Sequence, residues 1–138
     1  MIIRLLPFII LLPFQLTAQS FTSNAVEYNS LHHHDSFLEW TDHLIELEKD
    51  RIIITRYSDQ AQGRNVWKIT DRESFEYHSG SQEIFHVQSM SRDFSEMGNF
   101  QFIYNTEGKL RTIIHKKAPS ISHIFQDSPM VTVKYFIN

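Results

Sequence analysis

Apolar and polar residues alternate with a period of two through most of this chain, the signature of half-buried strands. "RIIITRY" (Arg51–Tyr57) is the densest run of β-branched residues. Ahead of it, "HLIELEKD" alternates Leu44 and Glu46 with Ile45 and Leu47, and Lys49-Asp50 suits a tight hairpin turn. Phe37, Trp40, Leu44 and Leu47 also fall at helical spacing, so a helix over Ser36–Glu48 competes. The pattern favours a strand for the second half of that segment and leaves residues 36–43 open between helix and strand.

Further strands are expected at "NVWKIT" (Asn65–Thr70), "SFEYH" (Ser74–His78), "EIFHVQSM" (Glu83–Met90), "ISHIFQ" (Ile121–Gln126) and "MVTVKYFI" (Met130–Ile137). "HSGSQ" reads as a turn and "SRDFSEMG" as irregular. The best-defined unit is "NFQFIYNTEGKLRTIIHK" (Asn99–Lys116), with Thr106-Glu107-Gly108 as a three-residue loop and Gly108 in the left-handed position. In a regular register Tyr104 meets Leu110, Phe102 meets Thr112 and Phe100 meets Ile114, all on a core face. Gln101, Ile103, Arg111, Ile113 and His115 then share a mixed, wetter face. In the last strand Lys134, opposite the apolar side, would discourage edge-to-edge pairing.

About eight short strands joined by turns indicate a mainly β fold. The expectation is a single antiparallel meander closing into a small lipocalin-like barrel or a β-sandwich.

The opening "MIIRLLPFIILLPFQLTAQS" changes the picture of where this domain works. Arg4 is followed by an apolar run from Leu5 to Leu16 and the small residues Thr17 and Ala18. That is the plan of a secretory signal peptide, residues 1–18, cut after Ala18. A membrane span needs about 20 apolar residues, and this run is shorter and holds Pro7 and Pro13. The expected organisation is a signal peptide over 1–18, a polar N-terminal segment over 19–36 and one β domain over 37–138. The expected location is periplasmic or extracellular, in a Gram-negative bacterium by the style of the leader, with no stable membrane anchor after cleavage.

There are no cysteines, so the domain must fold on its apolar core without disulfides. The formal charge is −3, and losing Arg4 makes it one unit more negative. A mildly acidic exported domain is not expected to bind nucleic acid, which selects basic patches. Thiol catalysis is excluded, and no G-x-S-x-G, H-E-x-x-H or P-loop pattern is present.

Candidate chemistry centres on histidine. In "LHHHDSFLEW" (Leu31–Trp40), His32 and His34 point to one side of an extended segment, about 7 Å apart. Together with Asp35, and with His43 if the chain folds back, they make a His/Asp set of the kind zinc or copper accepts. An exposed polar loop accounts for the same residues and is the simpler reading. "FLEW" is then where the domain's first core contacts should begin.

His78 falls at a turn, while His86, His115 and His123 lie in expected strands. Two of these three facing one cavity would be pH-sensitive. Glu46 with Glu48, and Asp93 with Ser95 and Glu96, form carboxylate groupings that a solvated face explains. Of the 11 phenylalanines, Phe8 and Phe14 fall in the leader; the other nine, with five tyrosines and two tryptophans, supply either a packed core or an aromatic-lined pocket.

The resulting expectation is an exported, non-enzymatic β domain that binds a partner protein or an apolar small ligand, without a cofactor. The alternative is a periplasmic zinc- or copper-binding protein using His32–Asp35, and a hydrolase built from scattered residues ranks third.

Overall fold

In the computed structural model the described residues are 18–30, 36–58, 62–90, 96–117 and 131–138. They form nine strands and no helix: β1 (Gln19–Ser30), β2 (Ser36–Glu39), β3 (Asp42–Leu47), β4 (Arg51–Tyr57), β5 (Gln62–Tyr77), β6 (Gly80–Ser89), β7 (Met97–Tyr104), β8 (Leu110–Lys117) and β9 (Val131–Ile137). Each strand pairs antiparallel with its neighbour in the order β2-β1-β3-β4-β5-β6-β7-β8-β9, and β9 returns to β1. The result is a closed eight-strand antiparallel barrel with β2 as an extra strand. Barrel, not sandwich, is the architecture, because closure leaves the core inside one continuous sheet.

The closing strand is β1. Gln19–Ser30 reads from composition as a polar lead-in, yet Ser23–Ser30 pair with β9 and Gln19–Ser23 pair with β3. Its polar residues hide a short apolar inner face. Val26 is fully buried, and Phe21 and Tyr28 pack against the core. The helix considered over Ser36–Glu48 does not form; β2 and β3 occupy that segment and flank the same side of β1. Nor does "FLEW" open the core. Phe37 is 63% exposed and Trp40 74% exposed, because β2 lies on the rim beside β1 instead of within the barrel circuit.

Local turn chemistry holds where the sequence indicated it. Glu48 N–H donates to the Arg51 carbonyl (2.9 Å), closing a two-residue Lys49-Asp50 turn, and the Glu48 and Arg51 side chains form an ion pair across it. In the β7–β8 hairpin Gly108 has φ +76°. The Asn105 side chain caps that loop, accepting from Glu107 N–H (3.0 Å) and Lys109 N–H (2.9 Å).

Three expectations change. "NVWKIT" and "SFEYH" are parts of a single strand, β5, whose register with β6 shifts between Ile69 and Asp71. Lys134 does not guard an edge, since β9 is paired on both sides. Most consequential is β8. Tyr104 meets Leu110, but a β-bulge then makes Ile103 meet Thr112, Phe102 meet Ile113 and Phe100 meet His115. Arg111 is the extra residue. One inserted residue reverses which face every later side chain occupies, so Ile113 (0% exposed) and His115 (2% exposed) turn into the barrel. "ISHIFQ" and most of "SRDFSEMG" lie outside the described residues.

The core is aromatic. Phe102 meets Phe85 edge-on at 5.0 Å and Phe21 at 6.1 Å, with Ile45, Ile52, Val87 and Leu110 filling around them. Each such side chain contributes roughly 1.5–3 kcal/mol by leaving water, and packing of this kind is what a cysteine-free domain depends on.

The antiparallel order gives the barrel two unlike ends. At one, the turns at 48–50, 78–79 and 105–109 are tight. There the Arg72 guanidinium bonds the Lys49 carbonyl and sits 5.3 Å over the Phe85 ring. At the other, the connections 31–35, 58–61, 90–96 and 118–130 join the strands.

Candidate functional site

The second end holds a cavity of about 300 Å3 at the barrel mouth. Its apolar wall is Tyr28, Ile54, Trp67, Val133 and Tyr135, and its polar groups are His43, Arg56, Asn65, His115 and Lys117. Gly63, opposite Arg56 in the β4–β5 register, leaves space in that wall.

Pairing explains why these residues meet. A single row of strand partners runs Phe85, Phe100, His115, Val133, Tyr28, Phe37 from β6 round to β2. Because barrel strands tilt against the axis, that row climbs from the packed core at Phe85 to the rim at Phe37. His115 lies midway, where packing gives over to open space.

His115 is held by rings. It stacks on Phe100 with centroids 4.0 Å apart and planes 9° from parallel, and Trp67 meets it at 4.6 Å and 77°. Its Nε2 is buried and has no hydrogen-bond partner among the described residues. Burial, with the nearby Lys117 ammonium adding to it, pushes the imidazole pKa down to about 3, so the ring is neutral.

His43 takes part from β3. Its Nδ1 donates to the Thr41 carbonyl (3.0 Å), since a carbonyl only accepts. The neutral ring therefore keeps its lone pair on Nε2. It meets the Tyr135 ring edge-on at 5.3 Å, and burial lowers its pKa, with the Arg56 charge acting in the same sense. Burial also raises the Tyr28 and Tyr135 hydroxyls, which stay protonated.

Arg56 carries the ion pair of the mouth, to Glu39. Glu39 also accepts from the Thr41 hydroxyl (2.7 Å), and that bond leads the effects holding its carboxyl below the usual range. The Arg56–Glu39 contact ties rim strand β2 to β4. It does not saturate a guanidinium, which has five N–H donors.

His32, His34 and Asp35 lie outside the described residues. His43 sits in the barrel wall, seven residues beyond Ser36 along β2 and β3. No group of three or more metal-ligating side chains occurs among the described residues. His86 bonds Glu73 (2.9 Å) and His78 is in the exposed β5–β6 turn; His123, Asp93 and Ser95 lie outside the described residues. Of the three strand histidines, His115 reaches the cavity, and its companion there is His43.

Sequence reasoning did not single out Arg56, Trp67, Lys117 or Tyr135 as site residues. Each occupies an ordinary strand position, and only the closed circuit brings them within one cavity. A scan for protein families and searches of curated proteins and solved structures find no match to this chain.

Proposed function

We propose that this protein is an exported, non-enzymatic barrel that binds a small ligand with an apolar body in its mouth. The carrying observation is the cavity of about 300 Å3 between Trp67, Tyr28 and Tyr135. Its volume lies at the lower end of small-molecule sites, and its wall sets the ring and aliphatic side chains of Tyr28, Ile54, Trp67, Val133 and Tyr135 beside an equal number of polar ones. Export rests on the leader, with Arg4, the Leu5–Leu16 run and Ala18 at the cut. Binding is favoured over catalysis because both cavity histidines are ring-packed and made poor bases by burial, and neither bonds a nucleophile among the described residues.

Gly63 provides the test. A Cβ added there meets no atom within 4 Å, and its backbone is not left-handed. Gly63→Leu should therefore fill the mouth without strain. A neutral flat probe, 2-naphthamide, is expected to quench Trp67 fluorescence on binding the wild type. Its affinity should fall at least about tenfold in Gly63→Leu, with the unfolding midpoint nearly unchanged. Equal affinity in the plugged variant would place the probe elsewhere and overturn the reading.

A further inference from the structure

We infer that the ligand of this mouth is an organic anion, a monocarboxylate with a flat ring-sized body whose head lies between Arg56 and Lys117. The inference deepens the small-ligand reading above and rests on it.

Charge is the first observation. The chain is acidic, with formal net charge −3. Even so, both charged side chains lining the cavity are cationic, Arg56 from β4 and Lys117 from β8. Lys117 makes no ion pair among the described residues, and its charge is felt inside the cavity by His115. Nearby acids stand outside the lining, although His43 feels their charge: Glu39 is engaged by Arg56, Thr41 and Tyr28, and Asp42 lines the neighbouring groove beside Trp40.

The neutral polar groups supply the second observation. Asn65 and the protonated Tyr135 hydroxyl can donate to a ligand, while the Tyr28 hydroxyl already donates to the Glu39 carboxylate. Two cations and two neutral donors, with the one adjoining carboxylate, Glu39, already engaged by Arg56, Thr41 and Tyr28, complement an acceptor-rich head better than a cationic one.

Shape is the third. Trp67, Tyr28 and Tyr135 present ring surfaces, and rings bind flat bodies by stacking or edge contact. A kinked alkyl chain would use such walls less completely.

The experiment compares 2-naphthoate with its neutral isostere 2-naphthamide, and with octanoate, by calorimetry on the protein as matured by the expressing cell. The acid is expected to bind about tenfold more tightly than the amide, the effect of one well-placed charged contact, and to weaken as salt rises. Lys117→Gln should weaken the acid severalfold and the amide distinctly less. Glu39→Gln should move the other way, tightening the acid by releasing Arg56 from its internal partner. These opposed signs would not follow from a merely structural role for either residue.

Amide binding as tight as the acid would overturn the anionic head and keep the small-ligand site. Octanoate binding as tight as naphthoate would overturn the ring-shaped body. Failure of both naphthyl compounds to bind would overturn the site reading itself, and the inference with it.

Discussion

The two ends of the barrel are made by different kinds of information. At the turn end the chain reverses through Lys49-Asp50, His78-Ser79 and the Asn105–Lys109 loop, each closed by contacts a few residues apart in sequence. At the mouth end the site is assembled from β1, β3, β4, β5, β8 and β9, with partners such as Tyr28 and Val133 far apart in the chain. The turn end holds the phenylalanine layer, with pockets around its turns, and the mouth end opens between two cations and two neutral histidines. If the mouth binds as proposed, stability and binding are separated along one axis, so a change at one end should leave the property of the other largely intact.

The largest effect should come from the packed core. Phe102 is fully buried between Phe21 and Phe85. Phe102→Ala should cost about 3–5 kcal/mol in urea unfolding, from lost transfer energy plus the cavity left behind. A cost below about 1 kcal/mol would mean that this layer does not carry the fold.

Next comes pH, through His115. Its folded pKa of about 3 lies below the unfolded value of 6.5. Above pH 6.5 both states are neutral there and nothing is lost. As pH falls below 6.5 the unfolded chain takes up a proton that the folded state refuses, and stability drops until the folded pKa is reached. The slope is about 1.4 kcal/mol per pH unit, or roughly 2 kcal/mol between pH 7 and pH 5. His43, also depressed, adds in the same direction. His115→Phe should flatten most of this loss, measured as urea midpoints at the two pH values. An unchanged slope would show that His115 is protonated in the folded barrel.

The smallest effect contrasts two glycines. Gly108→Ala, at φ +76°, should cost about 1 kcal/mol for forcing a Cβ into the left-handed region. It should leave ligand affinity alone, whereas Gly63→Leu should do the reverse. If both variants moved both properties, the two ends would not be independent.

The turn end was largely legible in the sequence. Lys49-Asp50 and Thr106-Glu107-Gly108 carry turn chemistry that works locally, and the "RIIITRY" strand needs only its own β-branched residues. The mouth was not. His115 reads as an outward residue in a regular hairpin, and a bulge at Arg111 turns it inward. Arg56 and Lys117 stay exposed at their strand ends, and only closure of the circuit sets them on one cavity. Phe37 and Trp40 look like core, because composition does not reveal that β2 falls outside the eight-strand ring.

By itself, then, the sequence determined the strand periodicity, the all-β class, the turn positions and the need for a core without disulfides. All of these follow from residue type and near neighbours. Closure of β1 on β9, the register after Arg111 and the meeting of His43, His115, Arg56 and Lys117 around one cavity were decided only by the tertiary structure. Alternation with period two marks two faces without saying which is inside, and one inserted residue exchanges them. The bulge that makes the exchange sits in the β7–β8 hairpin, and the pairing that closes the ring joins strands at opposite ends of the chain.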